Sequence, residues 1–435
     1  MKGTGTRVPR DRKGSTLDAW LKWQEQLHPV EIDLGLERVR SVAERMLPGE
    51  LPFRAMTVGG TNGKGSCVAF LESILRTAGL EVGSFTSPHL CRYNERIRVR
   101  GRPVGDAEII RAFEEVDAAR QGVSLTYFEF SALAALKVFS RSRLEFVLLE
   151  VGMGGRLDAV NVVDAEVAVI TSIGADHQAW LGHDREQIAR EKAGILRPDR
   201  PAVYGDTDVP RSLRRHAEAL GTRLLCLGQD FHYLDRGECW EWRGQATRYD
   251  DLPPPALLGD VQLRNAASAL AALEQLSPAP RLTREQLAQG LRDVTLPGRF
   301  QVISGPVDWI LDVAHNADAA QVLAVNLRQQ PIAGRTVAVC GVLGDKDVEA
   351  IARAMEPHIQ QWIATGLDSP RALAASELAK RLEAVVSAPV MREESLLNAL
   401  SVAKNLTRPG DRVILFGSFL LVGPVLEHHG LYCAA

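Results

Sequence analysis

The sequence lacks the excess of basic residues that binding to a nucleic-acid backbone requires. Its 51 Lys and Arg residues are balanced by 54 Asp and Glu residues, and the formal net charge is -3. Because phosphate contacts dominate affinity for nucleic acid, we expect no such partner. The 435 residues, 46% hydrophobic and 24% charged, are otherwise typical of a globular protein of two or three domains.

The cysteines are few and form no recognisable site. They show no CxxC pair and no closely spaced histidine, so neither a zinc site nor a disulfide framework has support. We therefore expect a reducing, cytoplasmic environment. The six residues are Cys67, Cys91, Cys226, Cys239, Cys340 and Cys433.

Long hydrophobic runs are also missing. The longest, residues 413–422, is too short to span a bilayer. Residues 1–15 are polar and basic and lack the apolar segment of a signal peptide. These observations predict a soluble protein that is neither exported nor held in a membrane.

What is present is an alternation of short apolar runs with segments of helical period, the pattern of βαβ units around a parallel sheet. A first series of strands is followed, after a boundary near residues 296–300, by a second, so we predict two domains, residues 1–297 and 298–435. Alternating Trp and Tyr in residues 231–251 predict a small antiparallel patch. The predicted strands are 55–58, 81–85, 146–151, 167–172, 201–204 and 223–227, then 309–313, 336–341, 362–365 and 412–416.

A glycine-rich loop at residues 58–66 lies between an apolar strand and an amphipathic helix that we predict to begin after Gly65. Glycines allow backbone N–H groups to approach phosphates, the helix N-terminus favours negative charge, and Lys64 suits the β and γ oxygens. The loop departs from the common P-loop because Gly65 separates Lys64 from Ser66. The alternative is a glycine turn with an exposed lysine.

Glu150 closes the apolar strand of residues 146–149. Ligands of open α/β sheets gather at the carboxyl ends of strands, and magnesium prefers hard oxygen ligands, so Glu150 and Ser66 are candidates for a magnesium site. The alternative for Glu150 is a solvated strand end. From pattern alone, a structural hydrogen-bonding role is the more common one for His177 and an exposed helix position is the plain interpretation of Lys192. A helix N-cap and a site role are equally compatible with Asn265.

Several motifs occur together and in one order from about Ile32 onward. They are GTNGKGS at 60–66, SFTSPHL at 84–90, YNERI at 93–97, GMGGRLDA at 152–159, TSIG at 171–174 with DH at 176–177, REKAGI at 190–195, PGRF at 297–300, and Asp312 with AHN at 314–316. This set resembles the folylpolyglutamate synthases and dihydrofolate synthases, which belong to the Mur ligase superfamily.

The resemblance implies an α/β fold in which a P-loop domain with a mostly parallel sheet, of the Mur ligase central-domain type, precedes a smaller Rossmann-like α/β domain. It implies ATP-dependent amide formation, in which a carboxylate becomes an acyl phosphate and glutamate attacks it. The expected substrates are dihydropteroate, reduced folates and L-glutamate. The expected cofactors are ATP and two magnesium ions, with room for a potassium ion, and the expected state is a monomer.

The resemblance also assigns residues. ATP contacts fall on Thr61, Asn62, Gly63, Lys64, Gly65, Ser66, Asn265, Arg299, Asp312 and His315, and metal contacts on Ser66, Ser87, Glu150 and His177. Lys64, His177 and Lys192 are expected to be catalytic, with Lys192 at the position that becomes carbamylated in the family. Val313 and Ala317 depart from the Gly and Pro that the family often shows.

Substrate contacts are implied for Asp33, Leu34, Thr126, Tyr127, Phe128, Glu129, Leu157, Asp158 and Ala159. The aromatic side chains of residues 126–129 suit stacking on a flat heterocycle, and Glu129 suits its N–H groups; Phe128 as a core residue is the alternative. Lys346, in a GDKD segment at a predicted strand end, matches the family, although a solvated turn competes with a site role.

Two other functions compete. A muramyl-peptide ligase shares the nucleotide-binding domains, but typically continues the loop with Lys-Thr-Thr or Lys-Thr-Ser and carries an N-terminal UDP-binding domain; here Gly65 follows Lys64 and about 50 residues precede the first strand. A nucleotide-dependent switch or motor gives no reason for Ser87, Glu150 and His177 to match together. The alternative that we retain is another amino-acid ligase of the Mur superfamily.

Overall fold

The computed structural model describes residues 15–428, in which two lobes are each built on a mostly parallel sheet. The predictions for the segment before residue 15 and for Cys433 fall outside these residues. The other five cysteines are all free. Within the described part, no helix is long and apolar enough to cross a membrane.

The first lobe is built on an eight-stranded sheet with the order β4-β3-β2-β5-β1-β6-β7-β8. The strands from β2 to β8 in that order run parallel, while β3 and β4 add an antiparallel edge. All residues of β5 are buried, as expected for a parallel strand covered on both faces. The strands are β1 Arg54–Gly59, β2 Val82–Phe85, β3 Ile97–Val99, β4 Arg102–Pro103, β5 Phe146–Glu150, β6 Val167–Ile170, β7 Ala202–Tyr204 and β8 Leu224–Cys226.

Helices cover both faces of this sheet and bury one hydrophobic core on each. One core contains Phe113 and Phe130, and the other contains Phe70 and Leu270. The helices of this lobe are α1 Leu17–Gln24, α2 Glu37–Met46, α3 Lys64–Thr77, α4 Asp106–Arg120, α5 Tyr127–Arg141, α6 Gln178–Leu181, α7 Arg185–Ala193, α8 Arg211–Leu220, α9 Asp260–Glu274 and α10 Arg284–Asp293.

The predicted antiparallel patch is confirmed as the three strands β9 His232–Asp235, β10 Trp240–Arg243 and β11 Arg248–Leu252. The patch contributes buried side chains to the hydrophobic core. Trp242 is buried, and its indole N–H donates to the carbonyl of Ala267 in α9 at 3.1 Å. The patch therefore packs against α9 and is joined to it by this hydrogen bond.

The second lobe carries a six-stranded sheet with the order β12-β13-β17-β14-β15-β16, in which only β12 is antiparallel. Its strands are β12 Gln301–Ile303, β13 Asp308–Leu311, β14 Thr336–Cys340, β15 Gln361–Thr365, β16 Val390–Glu393 and β17 Arg412–Phe416. Its helices are α11 Ala317–Gln329, α12 Val348–Met355, α13 Ala375–Glu383, α14 Leu396–Leu406 and α15 Phe419–His428.

Every predicted strand overlaps an observed one, so the prediction of two successive α/β units with mostly parallel sheets is confirmed. The prediction missed β3, β4, β12 and β16. Each is a strand of at most four residues at or near a sheet edge. In β16, the charged residues Arg392 and Glu393 interrupt the apolar pattern that would have predicted a strand. The predicted start of α3, after Gly65, is also wrong: the helix begins at Lys64, two residues earlier.

The carboxyl ends of the parallel strands in both lobes point to one cleft. From the first lobe, the segments after β1, β2, β5 and β6 reach it, and from the second lobe the segments after β13, β14 and β17 do. The lobes also touch beside the cleft, where a Cβ on Gly423 of α15 would clash with the carbonyl oxygen of Leu90. The fold thus concentrates loop residues from seven strands in one place.

Candidate active site

The cleft between the lobes has a volume of about 340 Å³. Its first-lobe wall includes residues 61–66 and Glu150, and its second-lobe wall includes Asp312, His315 and Lys346. Sequence positions more than 280 residues apart therefore share one site, an arrangement that requires both sheets to face each other.

The loop before α3 adopts a shape that only glycine permits at two positions. Gly60 has φ +141, and a Cβ there would collide with the hydroxyl oxygen of Thr171. Gly63 is the N-cap of α3 with φ +87, and a Cβ there would lie 2.6 Å from Oδ1 of Asn265. The loop consequently runs close over the amino end of α3, where backbone N–H groups remain available to an anion.

Lys64 is folded back on its own loop. Its Nζ donates to the carbonyl oxygens of Gly60 at 3.1 Å and Thr61 at 3.2 Å. The side chain lines the cleft, so the alternative of a glycine turn with an exposed lysine is wrong. The ammonium group is held where a phosphate at the helix N-terminus would meet it.

Lys192 lies beneath the same loop. Its Nζ donates to the carbonyl oxygen of Gly60 at 2.8 Å, and the residue is only 4% exposed, so the alternative of a surface lysine is wrong. Burial, with a smaller contribution from the charge of Lys64, lowers the pKa of Lys192 to about 7. Near neutral pH much of this amine is therefore uncharged and nucleophilic.

Glu150 is buried rather than solvated, being 5% exposed at the end of β5. Its Oε2 accepts a hydrogen bond from the backbone N–H of Ser87 at 3.0 Å, and its Oε1 faces the backbone at Gly65. Burial raises the pKa of Glu150, against the opposing charges of Lys64 and Arg299. One buried carboxylate thus joins the end of β2 to the start of α3.

These groups fit a cation that is shared with a ligand better than one held by protein alone. Among residues 15–428, no group of three or more His, Cys, Asp or Glu side chains could hold a metal ion. Glu150 together with the hydroxyl groups of Ser66 and Ser87 offers a partial set of hard oxygens. Magnesium commonly keeps several waters and takes phosphate oxygens for the rest, which matches such a set.

His177 lines the cleft next to Asp176 and adopts a left-handed backbone conformation with φ 51. Burial lowers the pKa of His177 to about 4, while the carboxylate of Asp176 opposes this shift. The imidazole is therefore neutral at neutral pH, the form that can accept a hydrogen bond or ligate a cation.

Asp176 is the electrostatic link between the lobes. Its carboxylate contacts three second-lobe side chains: Nζ of Lys346 at 2.8 Å, Nδ2 of Asn316 at 3.1 Å and Nε2 of His315 at 3.6 Å. Burial by itself would raise the pKa of Asp176, but the His315 ring and the charge and hydrogen bond of Lys346 oppose it, and that pKa lies well below its usual range. The anion therefore persists between the lobes.

A second cross-lobe contact lies beside this carboxylate. The side-chain amides of Asn62 and Asn316 exchange two hydrogen bonds of 3.2 and 3.1 Å. Asn316 is also the N-cap of α11 and accepts from the backbone N–H of Ala319. The phosphate-loop residue Asn62 is thereby fixed to the first turn of a second-lobe helix.

Asp312 and Arg299 form the part of the wall nearest the lobe junction. Both oxygens of Asp312 accept backbone hydrogen bonds of 2.7 Å, from Phe300 and Ala314. The Arg299 guanidinium lies 5.1 Å from the ring centroid of Phe419. Burial lowers the pKa of Arg299, and the charges of Asp312 and Glu150 oppose this shift. Asp312 thus orders the turn that carries Arg299 into the cleft.

Asn265 is not a helix N-cap, because α9 begins five residues earlier at Asp260. It lies in the second turn, is 3% exposed, and donates from Nδ2 to Oε1 of Gln262 at 3.1 Å. Its carbonyl oxygen faces Gly63, so it lines the cleft directly beside the phosphate loop.

The predicted substrate segments do not line this cleft but adjoin it. Phe128 packs over Gly152, where a Cβ would lie 2.6 Å from its ring, and Gly152 is itself in the cleft wall two residues after Glu150. Phe128 also lies 5.8 Å from Phe85 between ring centroids. The aromatic segment is therefore connected to the cleft through one glycine.

Several predicted substrate residues have structural partners. Glu129 and Thr126 form the capping box of α5, with hydrogen bonds of 2.7 and 3.3 Å. Arg38 bridges the carboxylates of Asp33 at 2.6 Å and Glu129 at 2.9 Å, and so brings the segment of Asp33 and Leu34 to α5. Tyr127 is partly buried under the guanidinium of Arg96, which lies 5.4 Å from its ring.

Asp158 caps the short 3-10 helix Ala159–Val162 by accepting from the backbone of Val160 at 3.0 Å, and it also accepts from Met153 at 2.9 Å. Burial raises its pKa to about 6 despite those donors. Ala159 is buried and Leu157 is partly buried beside it. This turn positions the chain that follows Gly152.

Sequence reasoning missed or undervalued three residues of the site. Asp176 and Asn316 both belong to the motifs given above but receive no role there, and Lys346 has a solvated turn as its competing interpretation although it is 8% exposed inside the cleft. A signal existed for Asp176 and Lys346, because both follow predicted parallel strands. No sequence pattern shows that these two strand ends face each other across two lobes.

Comparisons with known proteins agree with this architecture. The Mur ligase middle domain model matches residues 58–273, and the model of the Mur ligase, glutamate ligase domain matches residues 298–419. The chain is 41% identical over 414 residues to the dihydrofolate synthase/folylpolyglutamate synthase of Escherichia coli (strain K12), with 95% of each chain covered.

Solved structures give the same result. The E. coli FolC in complex with DHPP and ADP superimposes with a TM-score of 0.91 at 40% identity, covering 96% of this chain and 98% of that chain. A bifunctional folylpolyglutamate synthase/dihydrofolate synthase with Mn, AMPPNP and L-glutamate bound superimposes with a TM-score of 0.88 at 43% identity, covering 96% and 98%.

The contact between Asp176 and Lys346 predicts a strong energetic coupling between the lobes. Each single change, Asp176→Asn or Lys346→Met, should lower the free energy of unfolding, with Asp176→Asn costing about 3 kcal/mol because the buried Lys346 keeps only the more distant carboxylate of Asp345, at 3.6 Å. The double variant should lose less than the sum by at least about 1 kcal/mol. Urea denaturation of the four chains measures this coupling.

The exposed cross-lobe ion pair between Arg371 and Glu31, 2.9 Å apart, is the matched control. Solvent screening should limit the coupling in the cycle of Arg371→Met and Glu31→Gln to below about 0.5 kcal/mol. If the losses for Asp176 and Lys346 were additive, so that their coupling was as small as that of the control pair, the buried contact would not hold the lobes together.

Proposed function

The chain belongs to the dihydrofolate synthase/folylpolyglutamate synthase family of Mur ligases, and on this basis we propose that it joins L-glutamate to 7,8-dihydropteroate and adds γ-linked glutamates to reduced folates. It is an ATP-dependent ligase that forms carbon–nitrogen bonds. The observation that carries the proposal is the phosphate loop of residues 60–66 lying against the buried Glu150 in a cleft that two lobes close. No observation favours another amino-acid ligase of the Mur superfamily.

In the first step, the substrate carboxylate and the phosphates of ATP bring several negative charges together in the site. In the proposal, the backbone N–H groups of residues 61–66 and the ammonium group of Lys64 bind the β and γ phosphates at the amino end of α3. Ser66, Ser87, Glu150 and His177 would hold magnesium, which supplies charge neutralisation for the phosphates and the incoming carboxylate. No protein nucleophile is needed, because the substrate carboxylate attacks the γ-phosphate itself.

The folate end of the substrate is assigned to the segments beside Gly152. The rings of Tyr127 and Phe128 offer stacking surfaces, and the turn at residues 157–159 and the Asp33 segment border the same region. From there a benzoyl or glutamyl carboxylate would pass Gly152 and reach Glu150 at the carboxyl end of β5. Support for this path comes from the packing of Phe128 on Gly152 in the cleft wall.

The second lobe would contribute to nucleotide binding and to the second step. Arg299, Asp312 and His315 would meet the nucleotide across the cleft and Asn265 would meet it from the first lobe, a role supported by their position in the cleft lining. Closure over the acyl phosphate keeps water from hydrolysing it before the amino group of glutamate attacks. The buried carboxylate of Asp176 supports this role, since it joins both lobes next to His177.

The proposal also includes carbamylation of Lys192. The neutral amine attacks carbon dioxide, a nitrogen–carbon bond forms, and the nitrogen loses a proton to water, so that a buried neutral amine becomes an anionic carbamate. A pKa of about 7 for Lys192 supports this chemistry, since an amine with the ordinary value near 10.5 is almost fully protonated at neutral pH.

Three organisational features complete the proposal. We place the domain boundary after residue 297, between the end of α10 at Asp293 and the start of β12 at Gln301. A monomer is proposed because one chain supplies both walls of the cleft. A cytoplasmic location is proposed on the strength of the five free cysteines.

The purified chain should release phosphate only when ATP, L-glutamate and either dihydropteroate or tetrahydrofolate are all present, with the glutamylated product identified by mass. Lys64→Ala should reduce this activity at least about a hundredfold, because it removes charge that stabilises the transferring phosphoryl group. Circular dichroism would confirm that the variant is folded.

Lys380→Ala is the matched control, since Lys380 is exposed on α13 and does not line the cleft. It should keep ordinary turnover. Phosphate release that is indifferent to glutamate and to the pterin substrate would refute ligase activity, and a folded Lys64→Ala chain with normal turnover would refute the phosphate role.

Carbamylation of Lys192 predicts a carbamate resonance in the ¹³C NMR spectrum of the chain supplied with ¹³CO₂. At fixed dissolved CO₂, the signal should grow between about pH 6 and about pH 8, as the neutral fraction of an amine with a pKa of about 7 rises from about a tenth to about nine tenths. Lys192→Met should abolish it and Lys380→Met should leave it unchanged. Absence of the signal, or its persistence in Lys192→Met, would exclude the modification.

A further inference from the structure

The cleft continues past the phosphate loop into an apolar slot between α9 and α11. From Asn265, which touches Gly63, the chain runs back six residues to Gly259, a helical rise of about 9 Å away from the loop. Both lobes line the slot, and a flat heterocycle suits such a space between two helices. Its apolar side chains are Leu258, Val261, Ala319, Val322 and Leu323.

Asn326 brings an amide into these apolar surroundings. The residue lines the cleft and is only 5% exposed. Its Oδ1 is fully covered and has no hydrogen-bond partner among the described residues. A buried amide acceptor without a donor is costly, so a native side chain of this kind calls for a partner that is brought by a ligand.

Within the described residues, the amide of Asn326 packs against Gly259 and its oxygen has no hydrogen-bond partner. The backbone of Gly259, with φ +107, faces it so closely that a Cβ there would lie 2.6 Å from both amide atoms. No hydrogen bond within residues 15–428 opposes rotation about the last side-chain torsion, which is broad for an amide. One turn along α11, Nε2 of Gln329 donates to both oxygens of Asp260 at 3.0 and 2.8 Å and fixes the spacing of the two helices.

We propose that Asn326 is the residue that selects the nucleotide base, with its amide oxygen accepting a hydrogen bond from the 6-amino group of adenine. This inference rests on the proposed function, because it requires the phosphates of ATP to lie at residues 60–66. The slot would sandwich the purine ring, and the amide would pair with its polar edge, the match that Asn makes with adenine elsewhere. Asn326 is thus a specificity-determining residue for 6-aminopurine nucleotides.

The test is a calorimetric titration of the full chain, with magnesium present, by ADP and by purine riboside 5′-diphosphate, which is ADP without its 6-amino group. The wild-type chain should bind ADP about tenfold more tightly than the analogue, the worth of one buried hydrogen bond. Asn326→Leu should weaken ADP about tenfold and change the affinity for the analogue less than about threefold.

Gln321→Leu is the matched control, an amide-to-leucine change on the exposed face of the same helix, and it should leave both affinities unchanged. Asn326→Ala, which adds no branched side chain, should reproduce the loss seen with Asn326→Leu and so guards against misfolding of one variant. A merely structural role for Asn326 would weaken both ligands together and leave their ratio intact.

The outcomes separate the two claims. If the wild-type chain binds ADP and the Asn326 variants retain its preference over the analogue, or if the wild-type chain has no such preference, the assignment of Asn326 is wrong while the proposed function stands. If the wild-type chain binds neither nucleotide, the placement of the phosphates fails and both claims are overturned.

Discussion

The open amino end of α3 is the constraint on which the rest of the structure depends. Its backbone N–H groups attract phosphate only if the chain before them stays close and without side chains, which is why Gly60 and Gly63 adopt conformations closed to other residues. The same narrow space brings Lys64, Lys192 and Glu150 within reach of one another. Burial then shifts the pKa of Lys192 down and that of Glu150 up, so the site is electrostatically poised before any ligand arrives.

The second lobe completes what the first cannot supply alone. Parallel sheets place ligand-contacting loops at the carboxyl ends of their strands, and here two such ends face each other. The anionic Asp176 meets Lys346, His315 and Asn316 across the junction, while Asn62 of the phosphate loop pairs with Asn316. In the proposed function, nucleotide binding and lobe closure would use the same few residues, which suits a reaction whose acyl-phosphate intermediate must be kept from water.

Local features of the sequence predicted most of the fold, the phosphate loop and Glu150, and the family resemblance named Arg299, Asp312 and His315, which line the cleft from the second lobe. An apolar run such as β5, or the glycines before α3, can be recognised from a segment of about ten residues. The short strands β3 and β16 escaped, since three or four residues at a sheet edge carry too little pattern. No local sequence pattern predicts the roles of the remaining residues. Asp176 and Lys346 depend on contacts with the other lobe, and Asn326 stands out only because its amide oxygen has no partner among the described residues. Asn265 shows the opposite failure, because a local rule suggested a cap where the helix had already begun.

The most direct test of the account is a crystal structure of the chain with a non-hydrolysable ATP analogue and magnesium. The account predicts triphosphate density against the N–H groups of residues 60–66 and beside Lys64, with the second lobe in contact through Asp176 and Lys346. An analogue bound elsewhere, with the amino end of α3 free of phosphate, would contradict it.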